Sequence, residues 1–204
     1  MSKPLDYTLI KKPHQQITWT ELQIQELARC ADPETGPMYF MSHYFFIQHP
    51  TRGKIQYQPF EYQERLMDTY HNNRFCIAML PRQTGKSTTA AGYLLWYAMF
   101  VPDSTILIAA HKYLGAQEIM QRIRYAYENA PDFIRAGVTS YNKGSIEFEN
   151  GSRIVAQTTT ETTGRGMSIT CVSTDNSLVT VRDKVTGEIS QKTIRELIKI
   201  EKGG

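Results

Sequence analysis

The pattern of apolar and polar residues predicts helices in the first third of the chain. Thr20 and Gln23 form a capping-box pair ahead of an apolar stripe, which predicts a helix over about 21–31. An aromatic-rich stretch over 38–47 and an amphipathic stretch over 59–72 predict two more. The chain therefore begins with helices rather than with a sheet.

Two continuous apolar runs then predict buried strands, Phe75–Leu80 and Ser104–Ala110. Each is followed by a helical pattern, over Ser87–Phe100 and over Leu114–Asn129. Strands buried on both faces and alternating with helices are typical of a parallel sheet with right-handed crossovers. An α/β fold is the prediction for this region.

Further along the chain, alternating residues predict a β-hairpin. Ser145–Phe148 and Arg153–Gln157 would be its strands, and Asn150-Gly151 between them favours a tight turn. This hairpin precedes a threonine-rich loop over 158–166.

Composition excludes several classes of protein. Hydrophobic residues make up 41% and charged residues 21%, which are globular values, and a net charge of +3 does not by itself indicate nucleic-acid binding. The longest mostly apolar run, Tyr93–Val101, is shorter than the roughly 20 residues that span a bilayer. Three cysteines without metal-ligand spacing predict neither a disulfide framework nor a zinc site. We expect a soluble intracellular protein with no membrane partner.

A phosphate-binding loop is the clearest chemical signal. Residues 80–87, L-P-R-Q-T-G-K-S, match the Walker A pattern G-x-x-x-x-G-K-S/T except that Leu80 replaces the first glycine. The loop joins a predicted strand to a predicted helix, whose free N–H groups and dipole favour phosphate. Gly85 would permit close backbone approach, Lys86 would reach the β- and γ-phosphates, and Ser87 would coordinate Mg²⁺. A surface turn is the alternative, and ATP with Mg²⁺ is the expected ligand.

Other loop residues take supporting roles in this interpretation. Arg82 can swing onto the γ-phosphate as an arginine finger in cis, or it can remain solvated. Gln83, Thr84 and Thr88 complete the expected nucleotide contacts.

The sequence resembles the large terminase subunit of tailed phages, specifically its T4-like branch, whose loop is typically S-R-Q-L-G-K-T. The resemblance covers most of residues 25–169, and it is carried by the following segments besides the loop: His49-Pro50-Thr51-Arg52-Gly53, Tyr62-Gln63, Ala109-Ala110-His111-Lys112, Tyr141-Asn142-Lys143-Gly144-Ser145-Ile146-Glu147, Asn150-Gly151-Ser152 and Gly164-Arg165-Gly166-Met167-Ser168-Ile169.

That resemblance implies an ASCE-type P-loop NTPase that drives DNA packaging. It implies double-stranded DNA, portal and small terminase as partners, a homo-oligomeric motor ring, and a place in the host cytoplasm at the procapsid portal. Gln63, 23 residues before Lys86, matches the family's adenine-recognising glutamine, whose amide offers one donor and one acceptor edge to a base. Tyr62 or Phe60 would pack against the base or belong to the core.

One part of the family pattern is missing after Ser168. The family continues into an apolar strand that ends in Asp-Glu, the Walker B pair, and no such run occurs here. Instead, Cys171 opens a segment that resembles the N-terminal block of an intein, with strands expected over 178–182 and 185–189 and a short helix from Thr193. In that chemistry the Cys171 thiolate attacks the Thr170 carbonyl to form a thioester.

These observations divide the chain into three parts: 1–58, an arm and helices; 59–170, an incomplete P-loop ATPase domain; and 171–204, a split-intein N-terminal fragment. All five histidines precede Cys171, so a splicing histidine and terminal asparagine would have to come from a complementary chain. The fragment alone is expected to be inactive, and trans-splicing would restore the motor and a nuclease domain. The alternatives are a truncated helicase-like translocase and a prematurely ended, non-enzymatic terminase fragment.

Overall fold

The computed structural model describes residues 9–160, 163–164, 167–175, 178–182 and 189–193, and the side chains up to Cys171. It has five helices in this part of the chain: α1 (Glu21–Ala31), α2 (Gly36–Tyr44), α3 (Glu61–Asn72), α4 (Lys86–Phe100) and α5 (Tyr113–Asn129). The strands are β1 (Phe46–His49), β2 (Gly53–Gln56), β3 (Thr105–Ala110), β4 (Val138–Tyr141), β5 (Ser145–Phe148), β6 (Arg153–Thr158), β7 (Cys171–Asp175), β8 (Leu178–Arg182) and β9 (Ile189–Thr193).

The N-terminal helices follow their sequence signals closely. The Thr20 hydroxyl accepts the Gln23 N–H at 3.3 Å, and the Gln23 amide oxygen accepts the Thr20 N–H at 3.0 Å, so the predicted capping box is confirmed. The second helix was predicted to reach Ile47, and there the prediction was wrong. The chain turns extended at the buried Phe45, and β1 pairs with β2 in an antiparallel hairpin that the pattern did not reveal.

A five-stranded mixed sheet forms the centre of the molecule, in the order β4-β5-β6-β3-β7. β3 runs parallel to β6 and to β7, whereas β4, β5 and β6 are joined as antiparallel neighbours. Fully buried Ile106, Ile108 and Ile154 from β3 and β6 anchor its core, to which α4 and α5 contribute. The α/β class is confirmed, and the predicted parallel arrangement holds only for β6, β3 and β7.

The apolar run before the phosphate loop departs from its prediction. Residues Phe75–Leu80 were expected to form a strand buried on both faces, but they form no strand, and Phe75, Ile77 and Met79 are 84%, 62% and 61% exposed. No residue that the structure describes exchanges backbone hydrogen bonds with them. An apolar sequence favours burial in a sheet, but burial also requires neighbouring strands.

The described strands from Cys171 onward belong to two separate sheets. β7 extends the central sheet, with Cys171 opposite Ile106 and Asp175 opposite Ala110, so Cys171 does not itself begin a separate hairpin. β8 and β9 form a two-stranded antiparallel sheet of their own. Predictions over 183–188 and after Thr193, as well as Arg165-Gly166 of the resemblance, lie outside the described residues.

None of the described helices is both long and apolar enough to cross a membrane. Among the same residues, no group of three or more His, Cys, Asp or Glu is arranged to hold a metal ion.

Candidate nucleotide-binding site

The loop over residues 81–85 has the backbone of an anion-binding turn. Gly85 precedes the first residue of α4 with φ +75°, and Gln83 has φ +63°, so two left-handed residues alternate with an ordinary one. Such turns place successive N–H groups around a concavity that suits phosphate. The backbone N–H groups of residues 82–87 donate to no described residue, which leaves them available to a ligand.

Three side chains with predicted ligand roles are also largely unused. The Lys86 Nζ lies 3.5 Å from the carbonyl oxygen of Leu80, the residue just before the loop. The half-buried Ser87 hydroxyl and the exposed Arg82 guanidinium make no hydrogen bond or ion pair within the described structure. A lysine, a hydroxyl and a guanidinium therefore belong to the same segment, residues 82–87, as the unpaired N–H groups.

The other loop threonines have different surroundings. The Thr84 hydroxyl donates to the Pro81 carbonyl at 3.0 Å and tightens the turn. Thr88, one turn into the helix, borders a groove between α4, β1 and α5 whose lining includes Gln48, Glu118 and Arg122. Neither contact tests their predicted role with nucleotide.

Gln63 lies directly behind the loop and is only 4% exposed. Its amide oxygen accepts the Tyr57 hydroxyl at 2.9 Å and the Phe60 N–H at 3.0 Å, and its amide nitrogen donates to the Thr84 carbonyl at 2.9 Å. These bonds use the polar atoms that would read an adenine edge. The adenine role of Gln63 stays a prediction, and the structure adds a contact with the loop backbone.

An exposed aromatic pair borders the same loop. The rings of Phe60 and Tyr62 stack at 5.7 Å with an 8° angle between their planes, and both are solvent-exposed. The Tyr62 hydroxyl donates to the Thr84 carbonyl at 2.9 Å. Both rings lie outside the core, and their contact with a base stays a prediction.

Sequence reasoning missed two buried hydroxyls behind the loop, Tyr57 and Thr89. Their oxygens lie 2.8 Å apart, and the Thr89 hydroxyl is 3.3 Å from the Gly85 carbonyl. Burial raises the pKa of Tyr57 to about 12, so the phenol stays protonated and can donate. No motif signals these residues, because their role depends on how β2, α3 and α4 meet.

The predicted splicing residues are part of the sheet. The Thr170 N–H donates to the Thr105 carbonyl at 2.9 Å, and Cys171 pairs with Ile106 at the start of β7. Burial raises the pKa of the Cys171 thiol, which disfavours the nucleophilic thiolate. Cys171 packs against the core beside α4, and the phosphate loop is a separate site.

A family model described as "Terminase large subunit, T4likevirus-type, N-terminal" matches residues 77–194, more than half of the chain. The match begins inside the apolar run before the loop and includes the loop itself. It also continues past Thr170, where the sequence resemblance was taken to stop.

Proposed function

The chain belongs to the T4-like-virus type of terminase large subunits and matches their N-terminal part, and from that membership we propose that it is the nucleotide-binding portion of an ATP-driven DNA-packaging motor. Double-stranded DNA, a portal and a small terminase are the partners that this function implies. The observation that carries the proposal is the loop at the start of α4, with its unpaired N–H groups and its two left-handed residues.

Each loop residue has a role that its position supports. The N–H groups of residues 82–87 would hold phosphate oxygens, and Lys86 would neutralise the charge of the β- and γ-phosphates. Ser87 would hold Mg²⁺, which would supply positive charge to stabilise the phosphates during transfer. Arg82, exposed and without an ion pair among the described residues, is free to reach the γ-phosphate.

Calorimetric titration of the purified chain with Mg-ATP tests this proposal. Lys86→Ala removes the predicted phosphate contact and should abolish measurable binding. Lys143→Ala is the matched control, because Lys143 is an exposed lysine between β4 and β5 to which no ligand role is assigned. Equal affinities of the wild type and Lys86→Ala would refute the assignment of the loop.

Hydrolysis requires a pair of Walker B acids. No apolar run ending in two carboxylates occurs between Ser168 and Gly204, and we propose that these acids are supplied by a segment outside the 204 residues. The Phe75–Leu80 segment supports this proposal, because its backbone pairs with no described residue and its apolar Phe75, Ile77 and Met79 are exposed. Without those acids, the loop would bind ATP without turning it over.

We further propose that Cys171 joins this chain to a complementary chain by trans-splicing. The Cys171 sulfur attacks the Thr170 carbonyl carbon, the C–N bond breaks, the released nitrogen takes a proton, and a thioester remains. The β8–β9 sheet, which is separate from the central sheet, supports a distinct element after β7. Because β7 is paired with β3 and burial raises the pKa of the thiol, β7 would have to leave the sheet before reaction.

Mixing the chain with a candidate complementary fragment tests this second proposal. A ligated product by mass spectrometry that is absent with Cys171→Ala would support it, whereas no product, or the same product with Cys171→Ala, would refute it. The neighbouring coding sequence separates the alternatives: a nuclease domain marks a terminase, a second RecA-like domain marks a helicase-like translocase, and no complementary fragment marks a non-enzymatic product.

A further inference from the structure

A buried hydroxyl links three elements behind the phosphate loop. Tyr57, directly after β2, is buried with its ring edge-on to Phe45. Its hydroxyl contacts the Gln63 amide oxygen on α3 at 2.9 Å and the Thr89 hydroxyl on α4 at 2.8 Å. The phenol oxygen therefore lies where these three elements meet.

From this point two paths lead to consecutive carbonyls of the loop. Gln63 donates from its amide nitrogen to the Thr84 carbonyl at 2.9 Å, and the Thr89 hydroxyl lies 3.3 Å from the Gly85 carbonyl. A trans peptide is planar, and its N–H points away from its C=O. Holding these two carbonyls toward the protein therefore directs the N–H groups of Gly85 and Lys86 away from it, toward the place of a ligand.

The proton count shows that these contacts are coupled. The Tyr57 and Thr89 hydroxyls carry one proton each, but they take part in three contacts: Tyr57 with Gln63, Tyr57 with Thr89, and Thr89 with the Gly85 carbonyl. When Thr89 donates to Gly85, Tyr57 can donate to only one of its two neighbours. Removing the Tyr57 hydroxyl thus alters both paths to the loop at once.

We propose that Tyr57 is a positioning residue that sets the phosphate loop in its anion-binding conformation through Gln63 and Thr89. This inference rests on the proposed function only for its consequence, the binding of nucleotide. The geometry that it assigns to Tyr57 concerns the loop itself and can be measured without a ligand.

The variant Tyr57→Phe keeps the packed ring and removes only the hydroxyl. Tyr127→Phe is the matched control, because Tyr127 is also fully buried and its hydroxyl also makes two hydrogen bonds, with the Ala136 carbonyl and the Lys11 N–H, in another part of the core. Both variants lose a buried phenol hydroxyl, so a purely structural effect should be similar in the two.

Hydrogen exchange of the nucleotide-free full chain is the first readout. The amides of Thr88 and Thr89, which donate to the Gly85 carbonyl, should exchange roughly three- to tenfold faster in Tyr57→Phe, as the loss of about one hydrogen bond implies. They should be unchanged in Tyr127→Phe. Equal exchange in the wild type and Tyr57→Phe, or equal acceleration in both variants, would overturn the inference.

A second pair of variants keeps the test decisive if Tyr57→Phe fails to fold. Thr89→Val removes the other hydroxyl and should accelerate the same amides, whereas Thr89→Ser retains the hydroxyl and should restore the wild-type rate. Acceleration in both Thr89 variants would mean that the methyl group matters rather than the hydrogen bond, against the proposal.

Nucleotide titration is the second readout. Tyr57→Phe should weaken Mg-ATP and Mg-GTP by the same factor, because the loop contacts phosphates and not the base. A loss confined to ATP would contradict the proposal and point to base reading by Gln63. If the wild type binds neither nucleotide, the proposed function fails, while the exchange result still decides the role of Tyr57.

Discussion

Replacing Gly85 by alanine separates backbone strain from the contact behind the phosphate loop. Gly85 has φ +75°, and an added Cβ would lie 2.6 Å from the Gln63 amide nitrogen. Gly53, the first residue of β2, has φ +69°, but an added Cβ would meet nothing within 4 Å. The two glycines thus share a left-handed backbone and differ in their surroundings.

The expected magnitudes follow from this difference. A left-handed non-glycine residue costs about 1–2 kcal/mol, and the lower entropy of the unfolded chain returns roughly 0.4–1 kcal/mol. Gly53→Ala should therefore lower the free energy of unfolding by about 1 kcal/mol. In Gly85→Ala the Cβ also displaces the Gln63 amide from the Thr84 carbonyl, and an unsatisfied buried polar group adds about 1–3 kcal/mol. The total is about 2–4 kcal/mol.

Urea unfolding of the two variants and the wild type measures these losses. The account predicts that Gly85→Ala is less stable than Gly53→Ala by at least about 1 kcal/mol. In a Gln63→Ala background, adding Gly85→Ala should cost no more than Gly53→Ala costs in the wild type, because the clash needs the longer side chain. Equal losses in the two glycine variants would refute the close contact between Gln63 and the loop.

The exposed segment and the N-terminal arm give two further predictions. Ile77→Thr should change the free energy of unfolding by less than about 0.5 kcal/mol, whereas Ile106→Val in the core should cost about 0.5–1.5 kcal/mol; a large loss at Ile77 in urea unfolding would contradict its exposure. Partial burial would raise the pKa of Glu149, but the N–H groups of His14 and Gly137 outweigh it and lower that pKa. The resulting stabilisation is present above the usual value near 4.5 and is lost as pH falls through the lowered folded value. Glu149→Gln should reduce this acid-side loss in urea titrations at several pH values, and an unchanged pH dependence would contradict the assignment.

Sequence signals predicted the structure correctly where the residues that make the contacts are close together in the chain. The capping box at Thr20 fixes the start of α1, and the Asn150-Gly151 turn joins β5 to β6 as expected. In that turn the Asn150 amide also donates to the Ala98 and Met99 carbonyls near the end of α4, a long-range contact that no sequence motif specifies. The sequence pattern therefore predicted the elements but not the long-range hydrogen bonds between them.

Predictions that depended on distant partners were less successful. The apolar pattern over 75–80 indicates a strand, but it cannot show whether neighbouring strands are present. Tyr57 follows β2 without any motif, and its role depends on the meeting of three elements. Cys171 is a further case. The sequence from Cys171 onward predicts the start of a separate element, but in the structure Cys171–Asp175 pairs with β3 as a strand of the central sheet.

The central claim is that the loop before α4 binds the phosphates of ATP, and hydrogen exchange with and without Mg-ATP tests it most directly. The amides of Gly85, Lys86 and Ser87 have no acceptor among the described residues, so bound phosphate should slow their exchange, and Lys86→Ala should abolish the effect. Unchanged exchange at these three amides under saturating Mg-ATP, or equal protection in Lys86→Ala, would contradict the account.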